Sequence, residues 1–226
     1  MTSSDSAPEP LEKLDAGLFA TTQHVSLPFM AGIELRAFVL DAEEGPVIVY
    51  NNPGIDAAAG RIREFGTPKR LLINHWHEGM HGAPTLDVPT FVHERDRRQT
   101  ERSLRVDGVF DARQRIGEDL EVIPSLAHTP GTAFYLWDSG EHRYLFPGDS
   151  LWVQDGVWRA VVLGESDRGA FLETLALLRD LDFDALVPWP AQAGRPPVEY
   201  LTPQEKTRQI DAVVARLKAG ASGPNV

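Results

Sequence analysis

Short apolar runs punctuate this chain, and most are closed by glycine, proline or asparagine. Residues 18–27 read as a first edge strand. Residues 32–40 and 46–50 are apolar runs on either side of a turn-rich 41–45, which predicts an antiparallel hairpin. Asn51-Asn52-Pro53-Gly54 then breaks the strand. Apolar positions near helical spacing predict a helix over 55–65, stopped by Gly66. The run 69–73 predicts the next strand, so strand, helix and strand follow in turn, the mark of a layered arrangement. Residues 89–93 predict another strand. Residues 94–105, dense in Arg and Glu, predict an exposed helix with a solvated, ion-paired face. After the run 120–126, the runs 132–137 and 143–146 flank Asp138-Ser139-Gly140-Glu141 and predict a second hairpin. Residues 151–163 fit one or two aromatic-rich strands, 167–181 an amphipathic helix and 185–187 a short strand. Residues 202–218 fit a closing helix with Pro203 in its first turn. No linker-like stretch divides the chain, so the pattern predicts one domain over 17–220, two packed sheets with helices outside. Residues 1–16 are expected to be a disordered tail and 221–226 a frayed end.

Composition narrows the function more than the fold. Hydrophobic residues are 42% of the 226 and charged residues 24%, the balance of an ordinary globular core. A net charge of −11 disfavours nucleic acid and anionic membranes as partners, since both are polyanions. No apolar run approaches the roughly 20 residues that span a bilayer. The opening residues lack the basic start and apolar core of a secretory signal. There is no cysteine, so no disulfide forms, and any metal must be held by His, Asp or Glu. A small-molecule substrate and a cytoplasmic setting are the expectations that remain. The oligomeric state stays open, a homodimer included.

Three strand ends carry candidate chemistry. The first is Leu71-Leu72-Ile73-Asn74-His75-Trp76-His77-Glu78-Gly79-Met80-His81-Gly82. Residues i and i+2 of an extended chain point the same way, so His75 and His77 aim two imidazoles at one point. The second is Ala127-His128-Thr129-Pro130-Gly131, where a strand ends, presents a histidine and turns. The third is Leu145-Phe146-Pro147-Gly148-Asp149, an apolar strand ending in a glycine turn that displays a carboxylate. Polar groups at strand ends converge on the rim of a sheet. Three imidazoles and a carboxylate suit Zn²⁺ or Fe²⁺. His24, His93 and His142 lie away from these anchors and are expected to be surface or hydrogen-bonded histidines. Trp152 and Trp158 follow Asp149 and are expected near the mouth of the site, as pocket lining, as packing or as part of a subunit interface.

The order and spacing of these segments, from about residue 27 to about 190, resemble the metallo-β-lactamase fold superfamily. The resemblance implies an α+β, four-layer αββα sandwich with metal along one edge. It matches His75, His77 and His128 to the three histidines of the family's first metal site, and Asp149 to the carboxylate that bridges two metals. The departures concern the second metal. Gly79 stands where the family has a loop aspartate, Met80 where it has the adjacent histidine, and Pro190 where it has the last histidine. The family's strand-end Asp-x-Gly is here Asn51-Asn52-Pro53-Gly54, without a carboxylate. The resemblance therefore implies a mononuclear hydrolase with one Zn²⁺ per chain, Fe²⁺ being the other candidate, acting on an ester, thioester, lactone or amide. Asp149 is then the fourth ligand or the group that orients water, Glu78 a substitute base and His81 a substitute ligand. Two other expectations are an iron sulfur-dioxygenase-like enzyme and a fold kept for binding or assembly without catalysis.

Overall fold

Alternation along the strands decides the architecture. The computed structural model describes residues 9–27 and 30–226. In strand Phe38–Ala42, Phe38 and Leu40 join one apolar cluster while Val39 joins another. Strand Ala133–Asp138 does the same, with Tyr135 and Trp137 on one side and Phe134 and Leu136 on the other. A strand buried on both faces needs a layer on each side.

The first sheet has seven strands in the order Leu11–Asp15, Leu18–Thr21, Phe38–Ala42, Gly45–Val49, Arg70–Leu72, Thr90–His93 and Gly108–Phe110. The second has six: Gln114–Ile116, Leu120–Pro124, Ala133–Asp138, Arg143–Phe146, Ala185–Leu186 and Glu199–Tyr200. Phe38, Tyr50, Tyr135, Trp137 and Phe146 fill the space between them. Helix α1 (Gly54–Glu64) covers the outer face of the first sheet through Ile55, Ala58 and Ile62. Helix α2 (Glu94–Thr100) follows its sixth strand. Helices α3 (Arg168–Asp180) and α4 (Pro203–Lys218) cover the second sheet with Phe171, Leu175, Leu178, Ile210, Val213 and Leu217. Helix, sheet, sheet, helix is the four-layer sandwich expected. No described helix is long and apolar enough to cross a membrane.

The departures from expectation are local. Leu11–Asp15, placed in the tail, is an edge strand paired with Leu18–Thr21; Leu11 buries its side chain, and Asp15 accepts hydrogen bonds from the Tyr144 and Tyr200 hydroxyls. Residues 1–8 of that tail lie outside the described residues. The single strands expected over 18–27 and 32–40 each divide between the first sheet and a small sheet of Val25–Ser26, Ile33–Leu35 and Pro190–Gln192. The end expected to fray is held: Val226 is buried and exchanges backbone hydrogen bonds with Ala160 at 2.7 and 3.0 Å.

Candidate metal centre

Arg70–Leu72 ends at the rim, and the next residues are tied across to the second sheet. The Tyr135 hydroxyl donates to Ile73 O at 2.7 Å, Ala133 N–H donates to Asn74 O at 2.9 Å, and the Asn74 side-chain amide donates to Ala133 O. His75 follows in extended conformation as the cap of a 3₁₀ helix, Trp76–His81, that contains His77. On the second sheet, Leu126 adopts a φ of 55° two residues before His128, and Gly148 a φ of 60° immediately before Asp149. A Cβ at Gly148 would collide with Asn74 Oδ1, so only glycine lets the two loops meet. The buried Tyr50 hydroxyl donates to Val187 O at 2.8 Å and accepts from Gly148 N–H at 2.9 Å, which holds the Asp149 turn in place.

The result is a tight cluster. His75, His77, His128 and Asp149 each offer a ligand atom, all within 4.8 Å of one another, and no other such group occurs among the described residues. His75 Nε2 lies 3.3 Å from Asp149 Oδ2, His128 Nε2 lies 3.8 Å from the same oxygen, and His77 Nδ1 lies 3.2 Å from His128 Nε2. Two ligands at tetrahedral angles about a zinc stand roughly 3.4 Å apart, given bonds of about 2.1 Å. His75 Nε2 and Asp149 Oδ1 are buried with no hydrogen-bond partner. Buried polar atoms are rarely left unpaired, and the carboxylate of Asp149 faces both His75 Nε2 and His128 Nε2. The donor set and the orphaned atoms fit a divalent cation.

The ring nitrogens facing away are engaged. His128 Nδ1 donates to Val161 O at 3.0 Å, leaving the Nε2 lone pair toward the cluster. His77 Nε2 lies 2.9 Å from Glu165 Oε1, which leaves Nδ1 inward. Such outer partners fix the tautomer of a metal-ligating histidine. Electrostatics favour neutral rings at two positions. Burial, with the charge of His75 beside it, pushes His128 down to about 4, and the same two causes lower His77. Burial works against charge on His75 as well, yet the facing Asp149 carboxylate prevails and raises it. Asp149 is held low by His75, against its own burial.

Two expected site residues lie elsewhere. Glu78 does not reach the cluster. Its carboxylate accepts from the backbone N–H of Asn51 at 2.8 Å, Asn74 at 2.7 Å and His75 at 3.2 Å. It is fully buried behind His75 and binds backbone, so the role of base falls away. Burial pushes it up to about 7 against the pull of His75 and those donors. The carboxylate missing at Asn51 is thus supplied from the histidine loop. His81 is not in the ligand group; its ring packs edge-on against Trp189, 5.7 Å between centroids. Trp158 lies in the core beside Phe183, not at the mouth.

Sequence reasoning missed two residues. Asp96, on the helix expected to be solvated, is buried and knits the two histidine loops. Its Oδ2 accepts from Trp76 N–H at 3.1 Å and Thr129 Oγ1 at 2.6 Å, and its Oδ1 accepts from Gly131 N–H at 2.8 Å. Glu165 comes from a loop without apolar periodicity and reaches His77 only in space. His24, His93 and His142 make local contacts, with Glu34, Arg95 N–H and Asp184.

A cavity of about 420 Å³ opens onto the cluster, with His77 and Asp149 in its wall. The rest of its lining includes Leu27, Met30, Met80, Trp152, Leu163 and Trp189, with Gln99, Arg102 and Ser103 as its polar side.

The same layers recur in solved structures. A metallo-β-lactamase from Pontibacter korlensis superposes with a TM-score of 0.67 at 15% identity, covering 92% of this chain and 98% of that one. The chain has the metallo-β-lactamase fold. A metallo-β-lactamase from Hirschia baltica gives 0.63 at 17% identity, covering 91% and 98%. The metallo-β-lactamase FIM-1 from Pseudomonas aeruginosa, in its mono-zinc form, gives 0.65 at 9% identity, covering 93% and 95%. No protein-family model matches the sequence, and no curated protein is a sequence match. Within the metallo-β-lactamase fold, Gly79, Met80 and Pro190 stand in the cavity wall and offer no ligand atom.

Proposed function

We propose that the protein is a metal-dependent hydrolase holding one divalent cation, Zn²⁺ before Fe²⁺, on His75, His77, His128 and Asp149. The observation that carries this is the convergence of four donor atoms within 4.8 Å, two of those side chains keeping a buried polar atom without a partner. A solved neighbour in mono-zinc form supports a one-metal centre in this fold. A cation bound there supplies an acidified water and a polarised carbonyl. The chain's own residues do the rest. His128 and His77 are kept neutral by burial and the neighbouring His75, and are aimed by Val161 O and Glu165. Asp149 Oδ1 accepts a proton or hydrogen bond from water, and the mainly apolar cavity beside it receives the substrate. The substrate is a small molecule with an ester, thioester, lactone or amide carbonyl, and the cysteine-free composition supports a cytoplasmic setting. Elemental analysis of protein purified with zinc present tests the proposal. About one metal per chain, lost in His75→Ala and His128→Ala, is expected. Metal-free protein under those conditions refutes it. Bound iron with oxygen uptake on a thiol substrate would replace it with dioxygenase chemistry.

A further inference from the structure

We infer that the cavity is an acyl pocket, and that the substrate is an ester, thioester or lactone with a hydrocarbon acyl part. This rests on the hydrolase reading and adds the substrate class. Three observations carry it. The cavity wall holds Gly79, Met80 and Pro190, the positions matched to the family's second metal, together with Trp189. That part of the wall therefore offers no metal-ligand atom. The remaining wall is largely hydrocarbon and aromatic, from Leu27, Met30, Trp152 and Leu163, with Gln99, Arg102 and Ser103 as a polar side to hold the substrate's carbonyl or leaving end. Finally, the large apolar residues left exposed among the described residues are Met80, Val109, Leu163 and Tyr200, and two of them, Met80 at 57% and Leu163 at 38%, stand on this cavity. Exposed apolar side chains that gather at one opening mark a binding site.

The wall is continuous with the metal cluster through His77 and Asp149, so a chain lying along it brings its carbonyl to the donors. In the hydrolysis, water oxygen bonds to the acyl carbon and the C–O or C–S bond breaks. The departing oxygen or sulfur takes up a proton, leaving as a separate alcohol or thiol from an ester or thioester and staying as the free hydroxyl end of the same molecule from a lactone, while the new acid keeps its hydrocarbon in the pocket until product is released.

Binding of straight-chain primary alcohols, from butanol to decanol, tests the pocket apart from catalysis. Calorimetry on zinc-loaded and zinc-stripped protein is the readout. Affinity is expected to rise about fourfold per methylene until the cavity is full, from about 0.8 kcal/mol for each buried CH₂. Met80→Asp and Leu163→Asp change exposed side chains and so leave the core intact. Each is expected to weaken octanol binding about tenfold or more, with metal content unchanged. An affinity flat with chain length, or unmoved by both substitutions, overturns the acyl pocket while leaving the metal reading untouched. Alcohol binding that persists in a protein unable to hold zinc sinks the metal reading and keeps the pocket.

Discussion

Asp96 offers the sharpest test of how the two histidine loops are held. In Asp96→Ala, Trp76 N–H and Gly131 N–H lose their only described acceptor. Thr129 Oγ1 keeps a neighbour, since Thr132 Oγ1 lies 2.8 Å away. Hydrogen bonds to a charged acceptor contribute about 1.5–3 kcal/mol each. Two orphaned buried donors therefore cost about 3–5 kcal/mol, the range seen when one partner is removed from a buried charged network. For a chain of this size that lowers Tm by roughly 10 °C. Asp96→Asn keeps the shape but turns one acceptor into a donor facing donors, and is expected to cost about 2 kcal/mol. Urea unfolding followed by tryptophan fluorescence measures both. A metal titration reads the second consequence: Trp76 adjoins His77 and Thr129 adjoins His128, so affinity should fall even in the fraction that stays folded. A loss below about 1 kcal/mol in the alanine variant, or unchanged metal affinity, refutes the view of Asp96 as the common anchor.

Three further outcomes are expected. Glu165→Ala frees the His77 ring to rotate and should weaken metal binding about 10–100-fold, read by competition with a chromophoric chelator, with stability nearly unchanged. Gly148→Ala forces a Cβ into Asn74 Oδ1 at a left-handed φ of 60° and should cost about 3 kcal/mol or more, measured by thermal unfolding. Asp15 is held below the usual carboxylate range by the Tyr144 hydroxyl, the Ala16 N–H and the Tyr200 hydroxyl. Its contribution to stability is therefore complete above its ordinary pKa of about 3.9 and lost as pH falls through the depressed value. The gap in stability between wild type and Asp15→Asn should begin to narrow below about pH 4 and close as pH falls through the depressed value, and a gap independent of pH would contradict the assignment.

The clustering of the candidate ligands was legible because apolar runs end in turns there and strand ends meet at a rim, although His77 lies in a 3₁₀ turn and not on the extended chain that the i, i+2 argument assumed. His75, His77, His128 and Asp149 needed no knowledge of pairing. Asp96 was hidden because its helix is dense in Arg and Glu; only Asp96 and Thr100 of α2 are buried, too few to leave a periodic signal. Glu78 misled because sequence adjacency to His77 says nothing of direction, and the 3₁₀ turn swings its carboxylate back onto backbone donors. Leu11–Asp15 reads as tail in the sequence because its charged residues Glu12 and Lys13 lie on an edge, exposed, where a strand looks polar. Glu165 depends on contact across 88 residues, which no local pattern encodes.

The donors come in two pairs from opposite sheets: His75 and His77 follow a strand of one, His128 and Asp149 follow strands of the other. An ion seated among them would cross-brace the sandwich, resisting any slip of one sheet over its neighbour. Its affinity would then be written into the folding equilibrium, each tenfold excess over Kd adding about 1.4 kcal/mol. Occupancy and rigidity become one property, so a chelator should loosen the whole β-core and not merely silence a pocket at its rim.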